Sequence, residues 1–93
     1  MKEPLIHLWP GASFHEDGYI VGNRRGLEKI KARIDSVLNS GGPEKTEVMT
    51  ADGEGYSIHI ILAEDDTKLA LPYTEDYAKE NRENVIYPWD QSW

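Results

Sequence analysis

The stretch NRRGLEKIKARIDSVLNSGGP, residues 23–43, decides the fold. Its apolar residues Leu27, Ile30, Ile34, Val37 and Leu38 fall at i, i+3, i+7, i+10 and i+11, which is one stripe along an α-helix. Both ends are marked. Asn23 is suited to accept from a free N–H of the first turn, and Ser40-Gly41-Gly42-Pro43 supplies a permissive C′ glycine followed by a proline stop. The spacing predicts one amphipathic helix from Arg24 to Asn39. Its stripe is expected to build the core, with Glu28, Lys31 and Asp35 on the opposite, solvated face.

On either side of this helix the hydrophobic period shortens to that of strands. Leu5-Ile6-His7-Leu8-Trp9, stopped by Pro10-Gly11, reads as a first strand, and Tyr19-Ile20-Val21 after Asp17-Gly18 as its antiparallel partner. Beyond the helix, Thr46–Thr50 and Tyr56–Leu62 flank Asp52-Gly53-Glu54-Gly55, whose glycines and short acids suit a hairpin turn. In the longer strand Tyr56, Ile58, Ile60 and Leu62 alternate with Ser57, His59 and Ile61, so the first set is expected to face the helix. Lys68–Leu71 reads as a short edge strand. Thr74, Glu75 and Asp76 open a short helix running to about Arg82, because acids favour the positive end of the helix dipole. The tail from Val85 to Trp93 is too apolar for a disordered end and is expected to pack back or meet a partner.

The expected architecture over residues 1–93 is one small α+β domain. It has a largely antiparallel four- to five-stranded sheet with the main helix on one face, in the order ββαββ, plus a short C-terminal helix and tail. Without cysteine, neither disulfides nor thiolate metal sites reinforce it. Neither a signal peptide nor a membrane span is read in the sequence, so a cytoplasmic location is the default expectation.

The formal net charge of −7 argues against a nucleic-acid binder, since phosphate affinity needs clustered Lys and Arg. The charge is also uneven. Residues 1–42 sum to +1 and residues 43–93 to −8, which favours a basic protein partner and also keeps a small domain in solution.

Three groups of residues are candidates for function. The turn Gly22-Asn23-Arg24-Arg25-Gly26 places two cations at a helix N-terminus, against the dipole, so something anionic belongs nearby. Glu28 or the Asp52-Gly53-Glu54 turn could supply that charge. Otherwise Asn23, Arg24 and Arg25 form a candidate site for a nucleotide or other small anion, although the spacing is neither a P-loop nor a dinucleotide fingerprint. Asp52, Glu54, Glu64, Asp65 and Asp66 lack the alternating register of a calcium loop and read as solvated turns or as partner-binding charge. The aromatic set Trp9, Tyr73, Tyr77, Tyr87, Trp89 and Trp93 is heavy for so small a chain. Tyr87, Trp89 and Trp93, near the end, are the expected interface anchors.

No catalytic constellation is legible. His7, His15 and His59 have no metal-ligand spacing, and Ser13, Ser57 and Ser92 lack a nucleophile elbow. A small hydrolase built on His15 or His59 would need those side chains to meet acids in one pocket. The expectation is a protein with no enzymatic activity, cofactor or metal.

The run Tyr19-Ile20-Val21-Gly22-Asn23, Gly26-Leu27 and the helix, then Asp52-Gly53-Glu54-Gly55-Tyr56 and Leu71-Pro72-Tyr73, resembles small α+β immunity proteins of bacterial polymorphic toxin systems. The resemblance spans residues 19–73 and rests on turn and core residues. It implies a non-enzymatic protein that binds and blocks a toxin made by the same cell.

Overall fold

The computed structural model describes residues 3–11, 15–72 and 85–90. The elements follow the order β1 (Ile6–Trp9), β2 (Tyr19–Gly22), α1 (Arg24–Ser40), β3 (Glu44–Met49) and β4 (Gly55–Ile60), an α+β arrangement in the expected ββαββ sequence. Both hairpins form and are antiparallel. Ile6 stands opposite Gly22 and Trp9 opposite Tyr19, while Glu44 stands opposite Ile60 and Met49 opposite Gly55.

The strands do not merge into one sheet of four or five. They make two separate two-stranded sheets, joined by a parallel bridge between Leu5 and Met49 and by the Met49 N–H donating to the Pro4 carbonyl at 2.9 Å. The reason is local: Met49 is the last residue of β3, and the chain turns at Thr50, so β1 has no further strand beside it. Two side-chain bonds span the gap. The Tyr56 hydroxyl donates to the Ile6 carbonyl at 2.6 Å, and the Ala51 N–H donates to His7 Nε2 at 2.9 Å. Lys68–Leu71 is not a fifth strand of either sheet. Leu69 bridges Ile86 in parallel, so this segment pairs with the tail. The helix expected over residues 74–82 lies outside the described residues.

The helix ends are those the caps dictate. Asn23 is extended and its side-chain oxygen accepts from the Gly26 N–H at 2.8 Å. Gly41 is left-handed at φ 78°, and its N–H returns to the Val37 carbonyl at 2.8 Å. α1 lies chiefly over β3 and runs antiparallel to it. Lys29 Nζ donates to the Glu47 carbonyl at 2.7 Å, and one turn on Arg33 pairs with Glu44 at 3.2 Å.

The apolar stripe does not face the sheet as a whole. Val37 is buried and Ile30 half-buried, but Leu27 and Ile34 are exposed and Leu38 is 62% exposed. The buried line runs instead through Gly26, Ile30 and Val37, a rotation of roughly 50° from the stripe's centre at 100° per residue. Gly26 fixes that rotation. A Cβ there would lie 2.2 Å from the Leu5 carbonyl oxygen, so only glycine lets the helix start rest on β1.

On β4, Tyr56, Ile58 and Ile60 pair with Val48, Thr46 and Glu44 on the helix side, as the alternation requires, with His59 exposed on the other. Leu62 lies beyond the end of β4 and is exposed, so it does not join that set. Among the described residues the buried hydrophobic ones are Ile6, Val37 and Val48, with Thr46 buried as well. This covered core sits where α1 crosses β3 and the start of β1.

Candidate functional site

The register of β1 with β2 places Trp9 directly opposite Tyr19, so both rings leave the same face of the hairpin at its loop end. Gly11 comes close to Glu16 and Asp17. Gly11 is left-handed at φ 79°, and a Cβ on it would meet the Glu16 and Asp17 carbonyls at 3.2 and 3.3 Å. This brings Glu16 and Asp17 beside the rings. The result is a cleft of about 630 Å³ lined by Trp9, Pro10, Gly11, Glu16, Asp17, Tyr19 and Pro72. Trp9 is 53% and Tyr19 57% exposed.

A second cleft of about 480 Å³ opens where the two hairpins part. His7, Leu8, Trp9, Thr50, Glu54, Gly55 and Tyr56 line it. Trp9 belongs to both clefts. Its ring stands 5.5 Å from His7, tilted by 54°. Because His7 Nε2 accepts the Ala51 N–H, the proton of the neutral imidazole sits on Nδ1. The β3–β4 turn is fixed by the Thr50 N–H to the Glu54 carbonyl at 2.9 Å and by the Thr50 hydroxyl donating to the Asp52 carboxylate. That hydroxyl is the main reason the Asp52 carboxyl is held below its ordinary range. Burial acts the other way on Tyr56, whose hydroxyl is pushed above its ordinary value by desolvation.

Aromatic faces beside carboxylates bind a cation with an apolar stem. The ring quadrupole and the acids attract the charge while the ring covers the methylenes, as a lysine or arginine side chain requires.

The residues singled out from sequence divide accordingly. Asn23 is fully engaged in structure: its oxygen accepts from the Leu5 N–H at 3.0 Å as well as from Gly26, and its amide donates to the Glu3 carbonyl at 2.7 Å. Arg24 and Arg25 are exposed beside it, and the Leu5 carbonyl closes over the first turn at Gly26. Asp52 and Glu54 lie in the turn next to His7, and Glu54 lines the second cleft. Glu64, Asp65 and Asp66 occupy an exposed turn closed by the Thr67 N–H to the Glu64 carbonyl at 3.0 Å, and they line neither cleft. Tyr87 and Trp89 stack at 5.1 Å and 21° in a turn closed by Asp90, with Trp89 76% exposed. Trp93 lies outside the described residues.

His7 and His59 are not brought together. His7 sits beside the β3–β4 turn, whereas His59 faces Lys45, four residue pairs down the hairpin or roughly 13 Å away at strand spacing. Among the described residues, no group of three or more His, Cys, Asp or Glu is placed to hold a metal ion, and no helix is long and apolar enough to cross a membrane.

The sequence reading did not anticipate the pairing of Trp9 with Tyr19 or the approach of Glu16 and Asp17. The signal was present, because counting the hairpin register outward from Gly22 aligns the two rings.

No family model, curated protein or solved structure matches the chain. What the fold and surface define is an α+β domain that covers one hairpin with its helix and leaves most of the other exposed.

Proposed function

We propose that this protein is a non-enzymatic, cytoplasmic inhibitor that binds a basic protein, with Trp9 as the central anchor and Glu16, Asp17, Asp52 and Glu54 as the charged surround. The observation that carries this reading is the cleft in which two half-exposed aromatic rings stand beside two carboxylates, in a chain of net charge −7. Steering by that charge speeds encounter with a cationic surface, and the rings supply the short-range affinity. The likeness of residues 19–73 to toxin-neutralising immunity proteins points the same way, towards a basic toxin as the target. The alternative, an anion held by Asn23, Arg24 and Arg25, has weaker support because every polar atom of the Asn23 side chain is already engaged.

The test is titration with arginine-rich and lysine-rich peptides, and with the purified product of the adjacent gene, followed by tryptophan fluorescence and calorimetry. Binding is expected to weaken steeply with salt, to fall at least tenfold in Glu16→Gln/Asp17→Asn, and to be lost in Trp9→Ala. Binding of the adjacent gene product with unchanged affinity in Trp9→Ala would overturn the assignment of this site.

A further inference from the structure

The two edges of β1 are used differently. One pairs with β2 along the strand. The other opens beside β3, where the Leu5–Met49 bridge and the Met49 N–H on the Pro4 carbonyl start a parallel ladder. There the ladder is abandoned, because the chain turns at Thr50 and the Ala51 N–H goes to the His7 ring rather than to the β1 backbone. On this side Ile6 sends its carbonyl away from β2, to the Tyr56 hydroxyl at 2.6 Å. Backbone groups of a strand repeat their direction at every second residue, so Leu8 sends its N–H and C=O to the same side. None of the described residues bonds either group.

Those two groups open on the second cleft, which Leu8 lines together with Trp9, Glu54 and Tyr56. An N–H and a C=O offered by one residue of an open strand edge are what an extended peptide takes up when it adds a strand. The charge of the cleft selects among such peptides. Glu54 lines it and Asp52 stands in the same turn, while no lysine or arginine lines it. A guest with cationic side chains is therefore favoured, and a second copy of this chain, with its net charge of −7, is not. The Trp9 ring, half exposed, is placed to cover the methylenes of such a side chain.

We propose that an extended segment of another protein, bearing lysine or arginine, adds as a strand to β1 in the gap between the hairpins. It pairs its backbone with the Leu8 N–H and C=O and sets a cationic side chain beside Trp9 and Glu54. The guest takes the place along β1 that β3 leaves at Met49. The inference rests on the reading of a basic protein partner and gives that partner its form, a strand rather than a helix or a folded basic surface. Ile20 supplies an internal control. It stands opposite Leu8, so its N–H and C=O point away from β1 to the far edge of the hairpin, and a peptide in the cleft leaves them untouched.

The probe is a blocked heptapeptide alternating valine with lysine, followed by calorimetry and by amide hydrogen exchange in NMR spectra. Bound peptide is expected to slow exchange of the Leu8 amide at least tenfold and to leave the Ile20 amide unchanged. The same peptide N-methylated at every residue keeps its charges but has no backbone N–H to donate. It is expected to bind at least tenfold more weakly, as is a peptide with glutamate in place of lysine. Glu54→Lys, at an exposed position in the turn, is expected to lose at least tenfold in affinity with an unchanged circular dichroism spectrum. Equal affinity for the methylated peptide, affinity that survives Glu54→Lys, or binding that protects Ile20 instead of Leu8 would overturn strand addition while leaving a basic partner at Trp9 in place. A lysine peptide that does not bind overturns strand addition as well, and the adjacent gene product then decides the reading of the partner on its own.

Discussion

The two hairpins have the same connectivity and opposite fates. β3–β4 lies under α1, with Val48 1% and Thr46 5% exposed, while β1–β2 buries Ile6 and leaves Leu8, Trp9, Tyr19, Ile20 and Val21 about half exposed or more. The exposed hairpin is the more apolar of the two, so apolar content does not decide which one is covered. What differs is the position of α1, which is seated by Gly26 on the start of β1 and then runs back along β3. A helix of seventeen residues spans about 25 Å and covers one hairpin but not two. The first hairpin is accordingly a presented surface, attached by Ile6, the Asn23 clasp and the Tyr56 hydroxyl.

The largest expected effect follows from the seat of the helix. In an ordinary helix, Gly→Ala gains about 1 kcal/mol. Gly26→Ala places a Cβ against backbone atoms of Leu5 that cannot swing aside, and a loss of about 3 kcal/mol in urea denaturation is expected instead. A stabilised variant would mean that α1 does not rest on β1. Next comes one substitution made in each hairpin. Val48→Ala is expected to cost about 2 kcal/mol, whereas Val21→Ala, 54% exposed, should stay within about 0.5 kcal/mol. Equal losses would erase the distinction between the hairpins.

Much of the scaffold was legible in the sequence because its signals are local. The Asn23 cap, the Gly41 C′ glycine, the turn at Asp52-Gly53-Glu54 and the alternation of Tyr56, Ile58 and Ile60 each act within a few residues, and each appears where expected. The rotation of α1 was not legible. Periodicity locates an apolar stripe, but what the helix turns towards the sheet is set by a close approach between Gly26 and Leu5, twenty-one positions apart. The division into two sheets likewise depends on where β1 meets the end of β3. For the site, Asp52 and Glu54 were singled out and Glu54 lines a cleft, but the hub is Trp9, which reads as one core aromatic among several until the hairpin register sets it against Tyr19.

The bond between the hairpins gives a smaller effect with a pH signature. Tyr56→Phe removes the donor to the Ile6 carbonyl and is expected to cost about 1 kcal/mol. Desolvation raises the Tyr56 pKa above its ordinary 10.0, so the stability it contributes is complete below the unfolded value and is lost as pH rises through the higher folded value. Urea midpoints of wild type and Phe variant should converge across that alkaline window. A constant gap would place the tyrosine's contribution in packing of the ring.

The smallest effect tests the turn that carries Ala51 to His7. Thr50 holds the Asp52 carboxyl below its ordinary 3.8, so the charged form is favoured by folding. That stability is present above the unfolded pKa and lost as pH falls through the lower folded one. Asp52 is exposed, which keeps the effect small. Asp52→Asn should therefore lower the urea midpoint slightly at neutral pH and not at all once the medium is acidic enough to protonate the native carboxyl. Chemical shifts of the His7 ring, read in the same titration, should move with Asp52 if the turn tethers the exposed hairpin to the covered one. Independent titration would show that the Ala51 N–H holds His7 regardless of the turn's charge, leaving Tyr56 and the Leu5–Met49 bridge as the attachments that matter.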